Sequence, residues 1–126
     1  MENETVKTLS QTIRITESQT AIQYGSGLLP VFATPALIAL MENTAMQLIV
    51  LPAGCSSVGI SINMQHLKAS PVGAEIQCTA TLTGIEGRKY TFDITATDSR
   101  LQLVGKATHE RVIVDIDRFM SNIQRK

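Results

Sequence analysis

The spacing of apolar residues changes once along the chain, and this change separates a helical segment from a set of strands. From Pro35 to Leu51 apolar residues occupy nearly every face of a helix, and the polar exceptions are Glu42, Asn43, Thr44 and Gln47. Such a pattern is typical of an enclosed helix. Thr34 and Pro35 predict its start, because threonine caps free amides and proline at the first helical position loses no hydrogen bond. Pro52 and Gly54 predict its end.

After this helix the apolar residues recur at every second position, which is the period of a β-strand. The first such strand places on one side Val58, Ile60, Ile62 and Met64. His66 continues this parity, so without a bulge its imidazole points toward the helix, and Gly59 lies on the opposite side. Further strands are predicted over 75–83, 90–96 and 101–114. A strand over 12–21 and a short helix from Asp117 complete the prediction.

Short connections between the last four strands predict the topology. Turns of hairpin length imply antiparallel pairing, and a sheet with one apolar face must cover another element. The apolar helix is the one candidate for that element. The sequence therefore predicts an α+β protein of hotdog architecture, in which one antiparallel sheet wraps around a long central helix, as a single domain over 1–126. Open sheet edges and a half-covered helix predict at least a homodimer.

Composition and charge exclude several classes of function. The chain has 126 residues, of which 44% are hydrophobic, so it can bury a core of its own. Its 11 basic and 11 acidic side chains cancel, and the absence of a basic cluster disfavours nucleic-acid binding. No apolar run approaches the roughly 20 residues that span a bilayer, and no signal-peptide pattern opens the chain. We therefore expect a cytoplasmic protein with no membrane contact.

The cysteines and histidines predict no metal site. Cys55 and Cys78 are predicted to be free thiols, as expected in a reducing compartment. Neither has a second cysteine or a histidine at the spacing of metal ligands, and His66 and His109 lie far apart in the sequence.

A single carboxylate stands out in the apolar half of the chain. Between Ser18 and Leu67 the one formal charge is Glu42. A buried and unpaired carboxylate costs several kcal/mol, so a partner or a chemical task is expected for it. In one interpretation Glu42 reaches solvent at a dimer seam or pairs with Lys68. In the other it is a general base or a nucleophile in a dry cleft, and its isolation favours this second interpretation.

Thr34 and His66 are the residues that can act with Glu42. His66 is either a half-buried histidine bonded to the backbone or a proton carrier that completes a constellation with Glu42. Thr34 caps the helix, where its hydroxyl can also stand beside a developing oxyanion. Glu42 lies eight residues further on, about 12 Å along the helix axis. Therefore the preceding loop must fold back over the helix, or a second subunit must contribute to the site.

Two residues outside the helix have both a structural and a functional interpretation. Gly59 is either a packing or bulge position in a strand, or a place where a ligand approaches the backbone closely. Arg111 is either a surface charge or part of a site. It belongs to the polar run Thr108–Arg111, which is unusual within a strand, so we expect one of these four residues to face a site or an interface.

Several short motifs keep their spacing from about Thr20 to the C-terminus. They are Val31–Pro35, Leu40–Glu42, Val58–Gly59 followed by His66, Ala69–Gly73, Glu86–Arg88 and Thr108–Arg111. Together they resemble the fluoroacetyl-CoA thioesterase-like branch of the hotdog thioesterases. The resemblance implies hydrolysis of an acyl-CoA thioester by a homodimer or a dimer of dimers, with CoA as part of the substrate and no other cofactor.

The same resemblance implies roles for individual residues. As catalytic residues it indicates Thr34, Glu42 and His66, and as substrate-binding residues Gly59 and Arg111. The chain departs from the fluoroacetyl-specific enzyme at Asn43, where that enzyme has an aromatic residue, and in the loop that carries Tyr24, Leu28 and Leu29. The alternative function is a non-catalytic acyl-CoA or acyl-ligand binding protein on the same fold. A hydratase on this fold is disfavoured, because we find no suitably placed aspartate and histidine pair.

Overall fold

Five strands form one sheet around a central helix in the computed structural model, which describes residues 7–124. In chain order the elements are β1 (Lys7–Arg14), α1 (Ala21–Tyr24), α2 (Thr34–Met46), β2 (Cys55–His66), β3 (Glu75–Glu86), β4 (Lys89–Asp98), β5 (Leu103–Asp115) and α3 (Ile116–Gln124). A 3₁₀ turn over Glu17–Gln19 precedes α1. None of the helices in the described range is long and apolar enough to cross a membrane.

The strands are arranged in the order β1-β3-β4-β5-β2, and every neighbouring pair is antiparallel. The tight turn between β3 and β4 contains Gly87, whose φ of 63° lies in the left-handed region that favours glycine. Within the described part of the chain, β1 and β2 are the two edges of the sheet. The predicted antiparallel hairpins are therefore confirmed for β3, β4 and β5. The hairpin predicted between β2 and β3 was wrong, because β2 pairs with β5 and the segment after His66 bonds to the loop before α2 instead of turning back along β2.

Helix α2 packs against the inner face of the sheet. The core formed between them includes Leu37, Met41, Ala45, Ile76, Cys78, Ala80, Phe92, Ile94 and Val104. The helix approaches β5 closely at Gly105, where a Cβ would lie 2.9 Å from a terminal methyl of Leu37. The predicted α+β architecture, with one sheet wrapped around one helix, is confirmed.

The helix is shorter than its apolar pattern predicts. It ends at Met46 instead of Leu51. The amides of Leu48 and Ile49 bond to carbonyls three residues earlier, so the chain tightens into a turn there. Ile49 is nonetheless buried, because an apolar residue is drawn into the core whether or not it continues a helix. The prediction to Leu51 was wrong because the pattern reports burial and not helical hydrogen bonding.

The predicted cap of α2 was also wrong. Ala33 occupies the cap position, Thr34 is the first helical residue, and Pro35 is the second. No side chain caps the helix. The Thr34 hydroxyl instead lies 2.8 Å from Nδ1 of His66, so this hydroxyl points toward the end of β2.

The predicted strand over 12–21 covers several different elements. Strand β1 ends at Arg14, and the buried Ile15 leaves the ladder to bond with the carbonyl of Ala74. After the 3₁₀ turn, the Thr20 side chain caps α1, and Gly25 ends it in the left-handed conformation at φ 70°. Local capping chemistry therefore overrides the extended pattern.

A bulge in β2 overturns the predicted parity of that strand. The pairing of β2 with β5 joins Gly59 to Arg111 and Ser61 to Glu110, which leaves Ile60 as the extra residue. After the bulge Ile62, Met64 and His66 face the helix, as predicted. Before it the parity is reversed, so Gly59 faces the helix while Val58 and Ile60 do not, and Ile60 is 52% exposed. The bulge therefore places Gly59 and His66 on one face of β2.

Candidate active site

Thr34 and His66 form the first of two polar clusters between α2 and β2. Their hydroxyl and Nδ1 atoms lie 2.8 Å apart, and the imidazole meets the edge of the Phe32 ring. Burial lowers the pKa of His66, an effect that the backbone of Lys68 partly offsets, so the neutral ring is favoured. The other ring nitrogen, Nε2, is buried and has no hydrogen-bond partner among residues 7–124.

A cavity of about 290 Å³ lies beside this pair. Its walls come from the loop before α2, from Thr34 and from the segment that follows β2, and include Ser26, Val31, Phe32, His66 and Leu67. At the tip of the loop, Leu28 and Leu29 are exposed to solvent in the single chain. The hydroxyl and imidazole thus open into a small and partly apolar space.

Glu42 belongs to the second cluster, about two turns along α2. A Cβ at Gly59 would lie 2.8 Å from Oε2 of Glu42, 3.2 Å from Cε1 of His109 and 3.4 Å from Nη1 of Arg111. Three side chains therefore converge where Gly59 has none. Glu42 is half-buried, and within the described chain its carboxylate forms no hydrogen bond and no ion pair within 4.0 Å. Its carboxylate group lies against the backbone of Gly59 without a direct partner among residues 7–124.

Arg111 is buried beside that carboxylate and is held from several sides. Its Nε donates to the Ser57 hydroxyl at 2.9 Å, and its Nη2 donates to the Ser57 carbonyl at 3.0 Å. Burial lowers the pKa of Arg111, whereas the charge of Glu42 raises it. An arginine remains charged in a protein under these conditions. The guanidinium is thus a fixed positive charge in the space between α2 and β2. This space, which extends from Thr34 and His66 to Glu42 and Gly59, is called the groove below.

His109 is the residue of this cluster that sequence reasoning missed. It lies two residues before Arg111 on the same face of β5, is 1% exposed, and packs against the Phe92 ring. Burial lowers its pKa, the bond to the Ser61 carbonyl raises it, and the neighbouring charges of Arg111 and Glu42 act in opposite directions. The polar run Thr108–Arg111 was singled out from the sequence. Because alternate residues of a strand lie on the same face, this run would have placed His109 beside Arg111 on the inner face of β5.

The structure does not bring the three predicted catalytic residues to one point within one chain. Thr34 contacts His66, but no hydrogen bond in the described residues joins Glu42 to either of them. The alternative partner of Glu42 is excluded as well, because Lys68 is bonded to Asp98 and Gln102. The predicted substrate-binding residues Gly59 and Arg111 lie together with Glu42. The groove thus contains a hydrogen-bonded hydroxyl and imidazole at one end and, further along, a carboxylate and a guanidinium that lie near Gly59 without forming an ion pair.

An antiparallel sheet wrapped around one helix, with a hydroxyl, an imidazole and a carboxylate between them, defines a protein of the hotdog fold. The comparisons with known proteins agree. The family described as fluoroacetyl-CoA-specific thioesterase matches residues 15–117. The fluoroacetyl-CoA thioesterase of Streptantibioticus cattleyicolor is 32% identical over 98 residues, which cover 76% of this chain and 70% of that protein.

Solved structures extend the comparison. A variant of the fluoroacetyl-CoA-specific thioesterase, in complex with fluoroacetate and CoA, is 26% identical with a TM-score of 0.85, covering 93% of this chain and 99% of that one. A hot-dog-like protein from Thermanaerovibrio acidaminovorans, 23% identical over 93% of this chain and 87% of its own, shares the fold with a TM-score of 0.85. The chain belongs to the fluoroacetyl-CoA-specific thioesterase family and is a thioester hydrolase. The family resemblance, the fold and the enzyme class predicted from the sequence are confirmed.

Proposed function

We propose that this protein hydrolyses an acyl-CoA thioester to the free acid and CoA, with Thr34, Glu42 and His66 as its catalytic residues and no cofactor besides the CoA of the substrate. The observation that carries this proposal is the Glu42 carboxylate at Gly59, which has no partner in the described part of the chain and lies in the groove that also holds the Thr34–His66 pair. The relative from Streptantibioticus cattleyicolor is named for hydrolysis of fluoroacetyl-CoA. A related structure contains both CoA and fluoroacetate.

Each catalytic residue has a role that its surroundings support. In one route Glu42 attacks the thioester carbon and expels the CoA thiolate, and water then attacks the acyl carbon of the resulting anhydride and frees Glu42. In the other route Glu42 removes a proton from the water that attacks the thioester carbon. In either route the oxygen of water ends on the acyl carbon, the carbon–sulfur bond breaks, and a proton is delivered to the CoA thiolate. Burial favours the neutral ring of His66, and its Nε2 has no partner among residues 7–124, so this nitrogen can take up the proton that the attacking water loses and pass it to the thiolate. Thr34 stabilises the acyl oxygen at the start of α2, where the helix dipole favours negative charge.

The working site is proposed to lie between two copies of the chain. Within one chain Glu42 has no bond to the Thr34–His66 pair, and a helix rise of about 12 Å separates positions 34 and 42. Strand β2 is an edge of the sheet in the described residues and is long enough, at 12 residues, to pair with a second copy. A symmetric homodimer through this edge would supply Glu42 from one protomer, and Thr34 and His66 from its partner. A dimer of dimers would contain the same two-chain site in each of its dimers.

The acyl group is proposed to be short. The cavity of about 290 Å³ beside Thr34 and His66 is slightly smaller than the roughly 300–1,000 Å³ that is usual for ligand pockets. Gly59 and Arg111 are proposed to contact the substrate, because the missing side chain and the buried guanidinium both face the groove. Asn43 and the loop at Leu28 and Leu29 distinguish this chain from the fluoroacetyl-specific pattern, so we expect no selectivity for the fluoroacetyl group.

The test is release of free thiol from a panel of acyl-CoAs, including fluoroacetyl-, acetyl-, propionyl- and longer-chain thioesters. We expect wild type to hydrolyse the short members, and Glu42→Gln and His66→Ala to lose most of that activity. Glu86→Gln is the matched control, because its carboxylate is exposed on the turn between β3 and β4. Equal rates in wild type and both site variants would remove the assignment. Tight acyl-CoA binding with no thiol release would instead favour the non-catalytic binding protein.

A further inference from the structure

His109 has no task in the proposed reaction, yet both of its ring nitrogens are used. Nδ1 lies 2.8 Å from the carbonyl oxygen of Ser61. A carbonyl oxygen only accepts hydrogen bonds, so Nδ1 carries the proton, and Nε2 of the neutral ring presents a lone pair. That lone pair faces Nη1 of Arg111 at 3.3 Å. The backbone of β2 therefore sets the tautomer that lets His109 accept from Arg111.

The hydrogen bonds of Arg111 leave a defined part of its guanidinium free. Of the five N–H groups of an arginine, two are donated to Ser57 and one to His109. The two that remain are one on Nη1 and one on Nη2. Nη1 lies 3.4 Å from the point where Gly59 lacks a Cβ, and Oε2 of Glu42 lies 2.8 Å from the same point. The free donor on Nη1 thus lies near the place where the Glu42 carboxylate ends.

We propose that His109 is a positioning residue for the hydrolysis, whose Nε2 holds the Arg111 guanidinium so that its unused donors meet the acyl oxygen of the substrate beside Glu42. The proposal rests on the proposed function of this groove. The charged groups around His109 are Glu42 from α2, and Arg111 and Glu110 on β5, while β4 contributes the uncharged Phe92 ring. Without this acceptor the guanidinium is held only by its two hydrogen bonds to Ser57, and it can turn away from the substrate.

Two substitutions separate the two bonds that His109 makes. In His109→Asn the side-chain amide nitrogen takes the place of Nδ1 and can still donate to Ser61, but nothing accepts from Arg111. In His109→Gln the amide oxygen reaches the place of Nε2 and can still accept from Arg111. We expect His109→Asn to lower kcat by about 10- to 100-fold, the effect of losing one charge-assisted hydrogen bond. We expect His109→Gln to stay within a few-fold of wild type.

A double-mutant cycle with Arg111→Met distinguishes positioning from packing. If His109 acts through Arg111, His109→Asn should cause no further loss of kcat once the guanidinium is gone. Thermal unfolding of every variant reports damage to the core separately. Equal losses in His109→Asn and His109→Gln, or an undiminished loss in the Arg111→Met background, would overturn the proposal.

A measurement without turnover separates this proposal from the proposed function. In ¹⁵N NMR spectra of the ligand-free protein, we expect hindered rotation of the Arg111 guanidinium in wild type and in His109→Gln, and faster rotation in His109→Asn. An unchanged rotation in His109→Asn would overturn the positioning role. If wild type releases no thiol from any acyl-CoA while the rotation depends on His109 as expected, the proposed function fails and the positioning of Arg111 stands.

Discussion

Gly59→Ala tests whether Glu42 acts where the structure places it. The added methyl carbon would lie 2.8 Å from Oε2 of Glu42 and 3.2 Å from Cε1 of His109. Non-bonded contacts of carbon are most favourable near about 3.5 Å. The carboxylate therefore has to retreat by roughly 0.5–1 Å, because the His109 ring is fixed by its bond to the Ser61 carbonyl and cannot yield as easily.

This displacement should affect catalysis more than folding. A shift of about 1 Å at a reacting group costs up to about 100-fold in rate, so we expect kcat to fall by about 10- to 100-fold, equivalent to about 1.4–2.7 kcal/mol in the activation barrier. The group that moves is the end of a flexible side chain. Alanine is also preferred over glycine within a strand by about 0.5–1 kcal/mol. The melting temperature should therefore change little.

The assay is thiol release at saturating acyl-CoA, followed for Gly59→Ala and for a matched strand glycine. Gly84 is that control, because it also lies at an irregularity of the sheet and a Cβ there would meet no atom within 4 Å. We expect Gly84→Ala to keep wild-type kcat. Wild-type kcat in Gly59→Ala, or equal losses in the two variants, would refute the reasoning that the carboxylate works against this backbone surface.

Three further predictions concern assembly and pH. Mixing unfolded Glu42→Gln and His66→Ala chains and refolding them should restore about a quarter of wild-type activity, since half of the dimers are mixed and each mixed dimer has one intact site; no recovery would place the whole site in one chain. The Lys68 ammonium lowers the pKa of Asp98 below 3.8, so Asp98→Asn should melt below wild type at neutral pH, and this gap should close as the pH falls below 3.8. Burial lowers the pKa values of His66 and His109 below 6.5, so the melting temperature should fall as the pH drops below 6.5, and His66→Ala should reduce that slope.

Much of the fold could be predicted because it depends on local periodicity. Alternation in the last strands identifies their inner rows, such as Phe92 and Ile94, and these residues are buried. The segment after Thr34 is apolar on nearly every face, which identifies the central helix. The errors lie where the outcome depends on hydrogen bonds that apolar spacing does not report. They include the end of α2 at Met46, and the segment after Arg14, where capping replaces the extended chain.

In the candidate site, too, some residues could be identified from the local pattern and others depend on contacts between distant parts of the chain. Glu42 could be identified because it is the one charge in a long apolar stretch. The partner of Thr34 could not, since a hydroxyl at a helix start serves equally well as a cap or as a ligand of a distant imidazole. His109 was missed for a related reason: its use as an acceptor depends on the carbonyl of Ser61, which lies 48 residues earlier in the chain.

The sequence by itself determined that a helix is enclosed by an antiparallel sheet and that a lone carboxylate lies inside the enclosure. The first follows from the cost of exposing apolar side chains to water, and the second from the cost of burying an unpaired charge. Both costs depend on the chemical type of each residue, which the sequence gives directly. Only the tertiary structure decided which groups meet that carboxylate. The extra residue Ile60 arises from the pairing of β2 with β5, and by reversing the parity it turns Gly59 toward Glu42 and Arg111. A strand has no inward face until its neighbour sets the register.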